Sequence, residues 1–306
     1  MLFSKTDTDI LGKRWTVMSI PYNAEFAGTY LLIHHAVQFL SLISKSVFPP
    51  RYDDSHTCLF WDFSKMDFTT DWFYSKKTQR LEFDPVHLKI KLAEYGGEFI
   101  AELDLKGKTK KEVYAQLRNM LAETEFQNKR LLTEMHYDMP RLDVKSGGNY
   151  RIYNIGYNNE IRAYYSNAFL LLNLIKGKIP DFSEIRCWPH HFDITIDYYF
   201  KNNGMDRQGL TAGFSPADIN VPEPYYFIKI KGNGPISIKR TGLSVGNWLN
   251  GDEPGTFLKI SEIIKKEELH AQIEAVFQFF SESITNIENI AETDIFGEDN
   301  IRPVNY

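Results

Sequence analysis

The chain has 306 residues, a formal charge of −5, 43% hydrophobic and 25% charged residues. That suffices for one large domain or two ordinary ones and leaves no basic surplus for nucleic acid. Two cysteines, Cys58 and Cys187, and an N-terminus without the basic and apolar regions of a secretory signal point to a reducing, cytoplasmic compartment.

In chain order, periodicity predicts a first helix over 24–47, from Phe26, Tyr30, Ile33, Val37 and Leu40, ended by Pro49-Pro50. Its apolar run is broken by His34, His35, Gln38, Ser41 and Ser44, so it reads as a core helix; a membrane span needs about 20 predominantly apolar residues. Extended segments follow at 57–63, 70–74, 86–94 and 98–105. Tyr95-Gly96-Gly97 is hairpin-turn chemistry, and Leu88, Ile90 and Leu92 alternate with lysines as on a strand with one wet face. Thr109 to Glu112 matches a capping box and opens a second helix to about residue 123, just after a basic cluster (Lys106 to Lys111) that reads as a solvated turn.

After a linker over 139–153 the order repeats. A helix is expected at 159–176, ended by Gly177 and Pro180, then strands at 191–200, 210–214, 225–231 and 256–260. A last helix at 265–290 carries Leu269, Ile273, Val276, Phe277 and Phe280 on one face. Residues 232–255 are expected to form a long surface loop carrying Trp248. Tyr22-Asn-Ala-Glu25 and Tyr157-Asn-Asn-Glu160 echo each other, each with Asn placed to cap a helix and Glu in its first turn. Each half also has a cysteine at its first strand. The expected fold is α+β, with two pseudo-repeated halves, 1–140 and 141–306, each a mainly antiparallel sheet flanked by two helices. The halves could form two domains or one body.

The chemistry-bearing phrases lie in the second half: Trp188-Pro-His190-His191-Phe-Asp193 and its continuation to Asp197, then Gly213-Phe214-Ser215 through Asp218 and Glu223 to Tyr225. On a strand, His191, Asp193, Thr195 and Asp197 would share one face, opposite Phe192, Ile194 and Ile196. Three readings of His191, Asp193 and Glu223 stand open. They could ligate a divalent metal (zinc, manganese or iron), with Asp218 or His190 in reserve. They could exchange protons without metal, His191 being oriented by a carboxylate. Or they could simply fix a loop by hydrogen bonding. Trp188, Phe214, Asp218, Tyr225 and Trp248 would then line a small-molecule pocket. No strong zinc spacing is present, Ser215 lacks the glycine frame of a nucleophile elbow, and Gly232-Asn-Gly234 lacks the lysine of a phosphate loop. His34 and His35 point to different sides of their helix as core or boundary residues, and the cysteines read as buried apolar groups.

The phrases Trp-Pro-His-His-Phe-Asp193, Gly213-Phe-Ser-Pro-Ala-Asp218 and Pro222-Glu-Pro-Tyr225 resemble those of a family of bacterial proteins classed as a domain of unknown function. Segments 66–70, 81–84 and 255–262 resemble further parts of it, so the likeness spans most of the chain. It favours His191 over His190, because several members have another residue at the latter position. It implies no reaction. The expectation is a protein that binds or transforms a small molecule in a second-half His/Asp/Glu pocket, with enzymatic activity left open. The alternative is a non-catalytic structural or protein-interaction module. No nucleic-acid or membrane partner is expected.

Overall fold

A computed structural model describes residues 2–74, 77–97, 99–122, 131–140, 148–179, 181–203, 206–232, 242–249 and 254–291. The fold is α+β, with two antiparallel sheets and six α-helices among the described residues. The helices are α1 (Lys5–Gly12), α2 (Ala24–Val47), α3 (Lys110–Ala122), α4 (Ile155–Lys178), α5 (Ile260–Ile264) and α6 (Leu269–Ala291). The first six strands are β1 (Phe60–Asp62), β2 (Asp67–Thr69), β3 (Phe73–Tyr74), β4 (Thr78–Asp84), β5 (Lys89–Glu94) and β6 (Phe99–Asp104). The others are β7 (Arg186–Trp188), β8 (Asp193–Asn203), β9 (Asp206–Ser215), β10 (Tyr225–Gly232), β11 (Asn247–Leu249) and β12 (Gly255–Lys259). Two compact units share this chain. A first-sheet unit joins Asn23–Arg162 to Arg186–Phe192, and a second-sheet unit joins Met1–Tyr22, Ala163–Ile185 and Asp193–Tyr306.

In the first-sheet unit the strand order is β1-β2-β4-β5-β6, with β3 also on β4. Helix α2 begins where the sequence predicts, because the Asn23 side chain accepts from Phe26 N at 2.9 Å. It is long and apolar enough to cross a membrane, and 83% of its most apolar window is buried inside the protein. Beneath it the sheet contributes Leu81, Phe83, Ile90 and Leu92, all fully buried. The Gly96-Gly97 turn forms with φ of 103° and 94°, values that favour glycine. Thr109 and Glu112 exchange the two bonds of a capping box. Residues 86–88 are not strand, contrary to expectation. Asp84 Oδ1 accepts from Val86 N and His87 N, Leu88 turns left-handed (φ 54°), and the chain folds back from β4 to β5. The second echo phrase is also reassigned. Asn154, not Asn158, caps α4 by accepting from Gly156 N at 2.8 Å, and Asn158 lies inside the helix, donating to Pro85 O.

The second-sheet unit orders its strands β11-β12-β10-β9-β8, all antiparallel. The inner face of this sheet carries Ile194, Ile196, Ala212, Phe214, Tyr226 and Ile228, all fully buried. The loop expected over 232–255 is partly strand: β11 pairs with β12, Trp248 standing opposite Thr256, while 233–241 and 250–253 lie outside the described residues. Helix α1 has no counterpart among the predicted elements, since eight mostly polar residues give little periodicity. Its Ser4–Asp7 capping box makes it: Ser4 N donates to Asp7 Oδ2 at 2.7 Å and Asp7 N to Ser4 Oγ at 3.3 Å. The segment after α1 is held by two buried amides acting as borrowed strand partners. Asn167 of α4 bonds both Thr16 N and Thr16 O, at 3.0 and 2.8 Å. Gln272 of α6 bonds Met18 N and Met18 O, at 3.0 and 2.7 Å.

Candidate functional site

The Trp-Pro-His-His-Phe phrase forms a tight turn. Phe192 N donates to Trp188 O at 2.7 Å, and Phe192 adopts a left-handed φ of 59°, rare for a large side chain. Helix α2 clamps the turn: Pro189 O accepts from His34 Nε2 at 2.8 Å and from Gln38 Nε2 at 2.7 Å, and the His34 ring stacks on Phe192. A carbonyl partner requires the proton on His34 Nε2, and burial pushes the His34 pKa down to about 3, so the ring is neutral. His190 is half-buried beside Trp188, Tyr137 and His191, and burial, with His191 adjacent, pushes it down to about 4. His191 sits exposed in the turn, ahead of β8. The predicted shared face of His191 and Asp193 is therefore corrected, since alternation begins only at Asp193. From there it holds, with Ile194 and Ile196 buried on the opposite side. Cys58 and Cys187 are free and buried, as expected.

The second phrase closes a loop between β9 and β10. Gly213 is glycine because a Cβ there would stand 2.5 Å from Ile194 O across the ladder. Phe214 is core, against Tyr164, Tyr165 and Tyr226. Asp218 Oδ1 accepts from Asn220 N and Val221 N, and its Oδ2 accepts from Tyr225 OH at 2.6 Å. Burial, the bond to Asp218 and the nearby Asp193 together raise the Tyr225 hydroxyl above its usual range. Glu223 faces elsewhere: it accepts from Ser261 N at 3.0 Å at the start of α5, with Lys259 at 3.6 Å. Asp218 and Tyr225 are thus bonded, with Asp193 acting on Tyr225 through its charge, while Glu223 serves a helix end and Trp248 a strand. All of these belong to the second-sheet unit, whereas Trp188 and His191 belong to the first-sheet unit. Among the described residues no three His, Cys, Asp or Glu side chains stand where they could hold one metal ion.

A concavity of ligand size lies elsewhere in the second-sheet unit, between α1 and α6. The groove has a volume of about 720 Å³. The rings of Phe3 and Phe277 stack at 4.0 Å in it. Along α6, His270, Glu274, Gln278 and Glu282 recur every four residues and form a polar stripe on the groove wall; Lys5 and Asp9 of α1 stand on the other wall. Against the opposing effect of burial, bonds from Ser244 and Gln278 hold the Glu282 carboxyl below the usual range, fixing it as an anion. That four-residue spacing was visible in the sequence, but its partner wall needs α1, which was not. A smaller cavity of about 210 Å³ in the first-sheet unit is lined by His35, Gln38 and Tyr137 among others. None of the eight residues nominated from the sequence lines either cavity.

The class these features define is an α+β protein with two antiparallel sheets, an interrupted chain path and a groove of ligand size among the described residues. No protein-family model matches the chain, and no curated protein or solved structure matches it.

Proposed function

We propose that this protein binds a small organic molecule in the groove between α1 and α6. The observation that carries the reading is the volume of about 720 Å³ enclosed by a stacked aromatic pair and a polar stripe. Ligand sites typically span roughly 300–1,000 Å³ and combine apolar walls with a few polar groups. His270, Glu274 and Asp9 supply polar and charged groups, and Phe3 with Phe277 supplies apolar contact. The nominated second-half residues support a structural role instead: Asp218 Oδ1 accepts from loop backbone and its Oδ2 from Tyr225 OH, and Glu223 accepts from a helix-end N–H. A fragment screen by amide NMR tests the reading. Hits should shift α1 and α6 resonances, and Ser281→Trp, which fills the groove, should abolish them. Hits that scatter over the surface, or survive Ser281→Trp, would overturn it.

We also infer that the two sheets are duplicated copies, as the sequence echoes suggest. A helix of 24 residues opens each set, α2 and α4, and six strands follow each. The turns after β1 and β7 are alike: Met66 and Phe192 are left-handed and bond back to Asp62 O and Trp188 O, at 2.7 Å in both.

A further inference from the structure

The outer face of the first sheet is divided into an aromatic part and an ionic part, and β-strand alternation dictates the division. On β4, Gln79, Leu81 and Phe83 turn inward and are buried, so Thr78, Arg80, Glu82 and Asp84 turn outward. Cross-strand pairing then sets the outward rows. Thr78 stands opposite Tyr74, and Arg80 stands opposite Ala93, which in turn pairs with Phe99 of β6. Around these rows Tyr74 is 83%, Tyr95 71% and Phe99 62% exposed. Trp72 joins them: its ring meets Tyr95 edge-on at 5.3 Å, and the Arg80 guanidinium lies 4.6 Å above it. Large exposed rings gathered on one sheet face mark an interaction surface, whereas scattered ones do not.

The next rows are ionic. Asp62, Asp67, Glu82 and Asp84 share Lys65, Arg80 and Lys91, with Lys65 Nζ 2.7 Å from Glu82 and Lys91 Nζ 3.0 Å from Asp67. Arg80 is consumed internally by Asp62 and Glu82. Asp84 also pairs with the exposed His87, and Lys77 with Glu94; the four carboxylates outnumber the three lysines and arginines of this network by one, and the exposed Asp71 beside Trp72 adds a further negative charge. A phosphate-bearing strand would meet repulsion here. Asp67 and Glu82 are buried beneath the face, so a cation would meet the partly exposed Asp62 and Asp84, the exposed Asp71 and the negative faces of open rings, the contact that Arg80 already makes with Trp72.

We propose that this face, centred on Trp72, Tyr74, Tyr95 and Phe99, docks a segment of another protein that presents arginine or lysine side chains. Trp, Tyr and Arg are the residue types that dominate binding energy at protein interfaces, and the acidic surplus selects the sign of the partner.

The test uses the full chain and three probes: a short arginine–glycine repeat peptide, the same peptide with glutamate for arginine, and cellohexaose. In amide and indole NMR titrations the arginine peptide should shift Trp72, Tyr95 and their neighbours, and the glutamate peptide should not. Tyr95→Ser with Phe99→Ser, both at exposed positions, should weaken the arginine peptide about tenfold while leaving the melting temperature unchanged. Tyr74→Ser provides the same comparison should that pair prove to alter folding. Arginine-peptide binding that ignores these substitutions, or its absence at about 1 mM peptide, overturns the proposal. So does cellohexaose binding in its place, which would make the face a sugar platform. A dimer that dissociates in the serine variants would show a second copy as the occupant and overturn it equally.

Discussion

His34 shows how one buried ring links loop geometry to acid sensitivity. Its folded pKa of about 3 lies below the ordinary histidine value of 6.5, so the unfolded chain takes up a proton that the folded chain refuses. The resulting stability is fully present above 6.5 and falls progressively as the pH drops toward 3. Half-buried His190, also lowered, acts in the same direction. At about pH 5 the His34 contribution alone should amount to a loss of about 2 kcal/mol. Urea midpoints near neutrality and at about pH 5 measure it, and His34→Gln, which keeps a donor for Pro189 O, should flatten the dependence; an unchanged slope would rule His34 out as the source. Asp67 behaves oppositely. Burial outweighs Lys91 at 3.0 Å and pushes its carboxyl up to about 6 from 3.8, so its contribution is present below 3.8 and is lost as the pH rises through 6. Side-chain carboxyl NMR should give a midpoint near 6, moved higher still by Lys91→Met. The sequence placed His34 correctly as a core or boundary residue, because its neighbours on α2 are apolar. Nothing in Met66-Asp67-Phe68 announced a buried carboxylate, since that burial comes from three other strands and their long cationic side chains.

Among the elements, α1 depends most on contacts remote in sequence. The segment following it is anchored by Gln272, fully buried and bonded to both polar groups of Met18. Gln272→Met keeps the volume and leaves that N–H and C=O unpaired, so it should cost about 2–4 kcal/mol in urea unfolding. The same change should broaden or erase groove-specific shifts, because the α1 wall loses its anchor. In the second sheet, Gly213→Ala should cost about 1–3 kcal/mol, since the added Cβ meets the Ile194 carbonyl. A loss below a few tenths of a kcal/mol would mean that the ladder yields there. Long helices and the glycine hairpin were legible because their signals are local: three-and-four periodicity, Asn23 and Thr109 caps, and a Gly-Gly turn. Periodicity missed strand β4, the middle of its sheet, and only the family resemblance set residues 81–84 in a strand region. The Pro85 to Leu88 turn hides its boundary: Pro85 is its one conventional turn residue, and a left-handed leucine closes it.

For the whole molecule, the chain path constrains what can fold alone. The path changes unit at 22/23, 162/163, 185/186 and 192/193. A cut at 140/141 leaves the first-sheet unit without α4's opening turns and β7, and the second-sheet unit without α1 and the Thr16–Met18 segment. Fragments 1–140 and 141–306, expressed separately, should therefore give collapsed amide spectra and no cooperative unfolding; a well-dispersed spectrum from either would refute this. The amino-acid sequence by itself determined the α+β class, the long helices, the hairpin at Gly96-Gly97 and the burial of the cysteines, because each follows from neighbours along the chain. It also singled out the Trp188 to Asp193 and Gly213 to Tyr225 phrases, though not their work as loop closures. Only the tertiary structure decided where the groove lies, which acids are buried and which rings share a face. Those depend on side chains separated by scores of residues, and on strand register, which turns each outward row toward solvent or core.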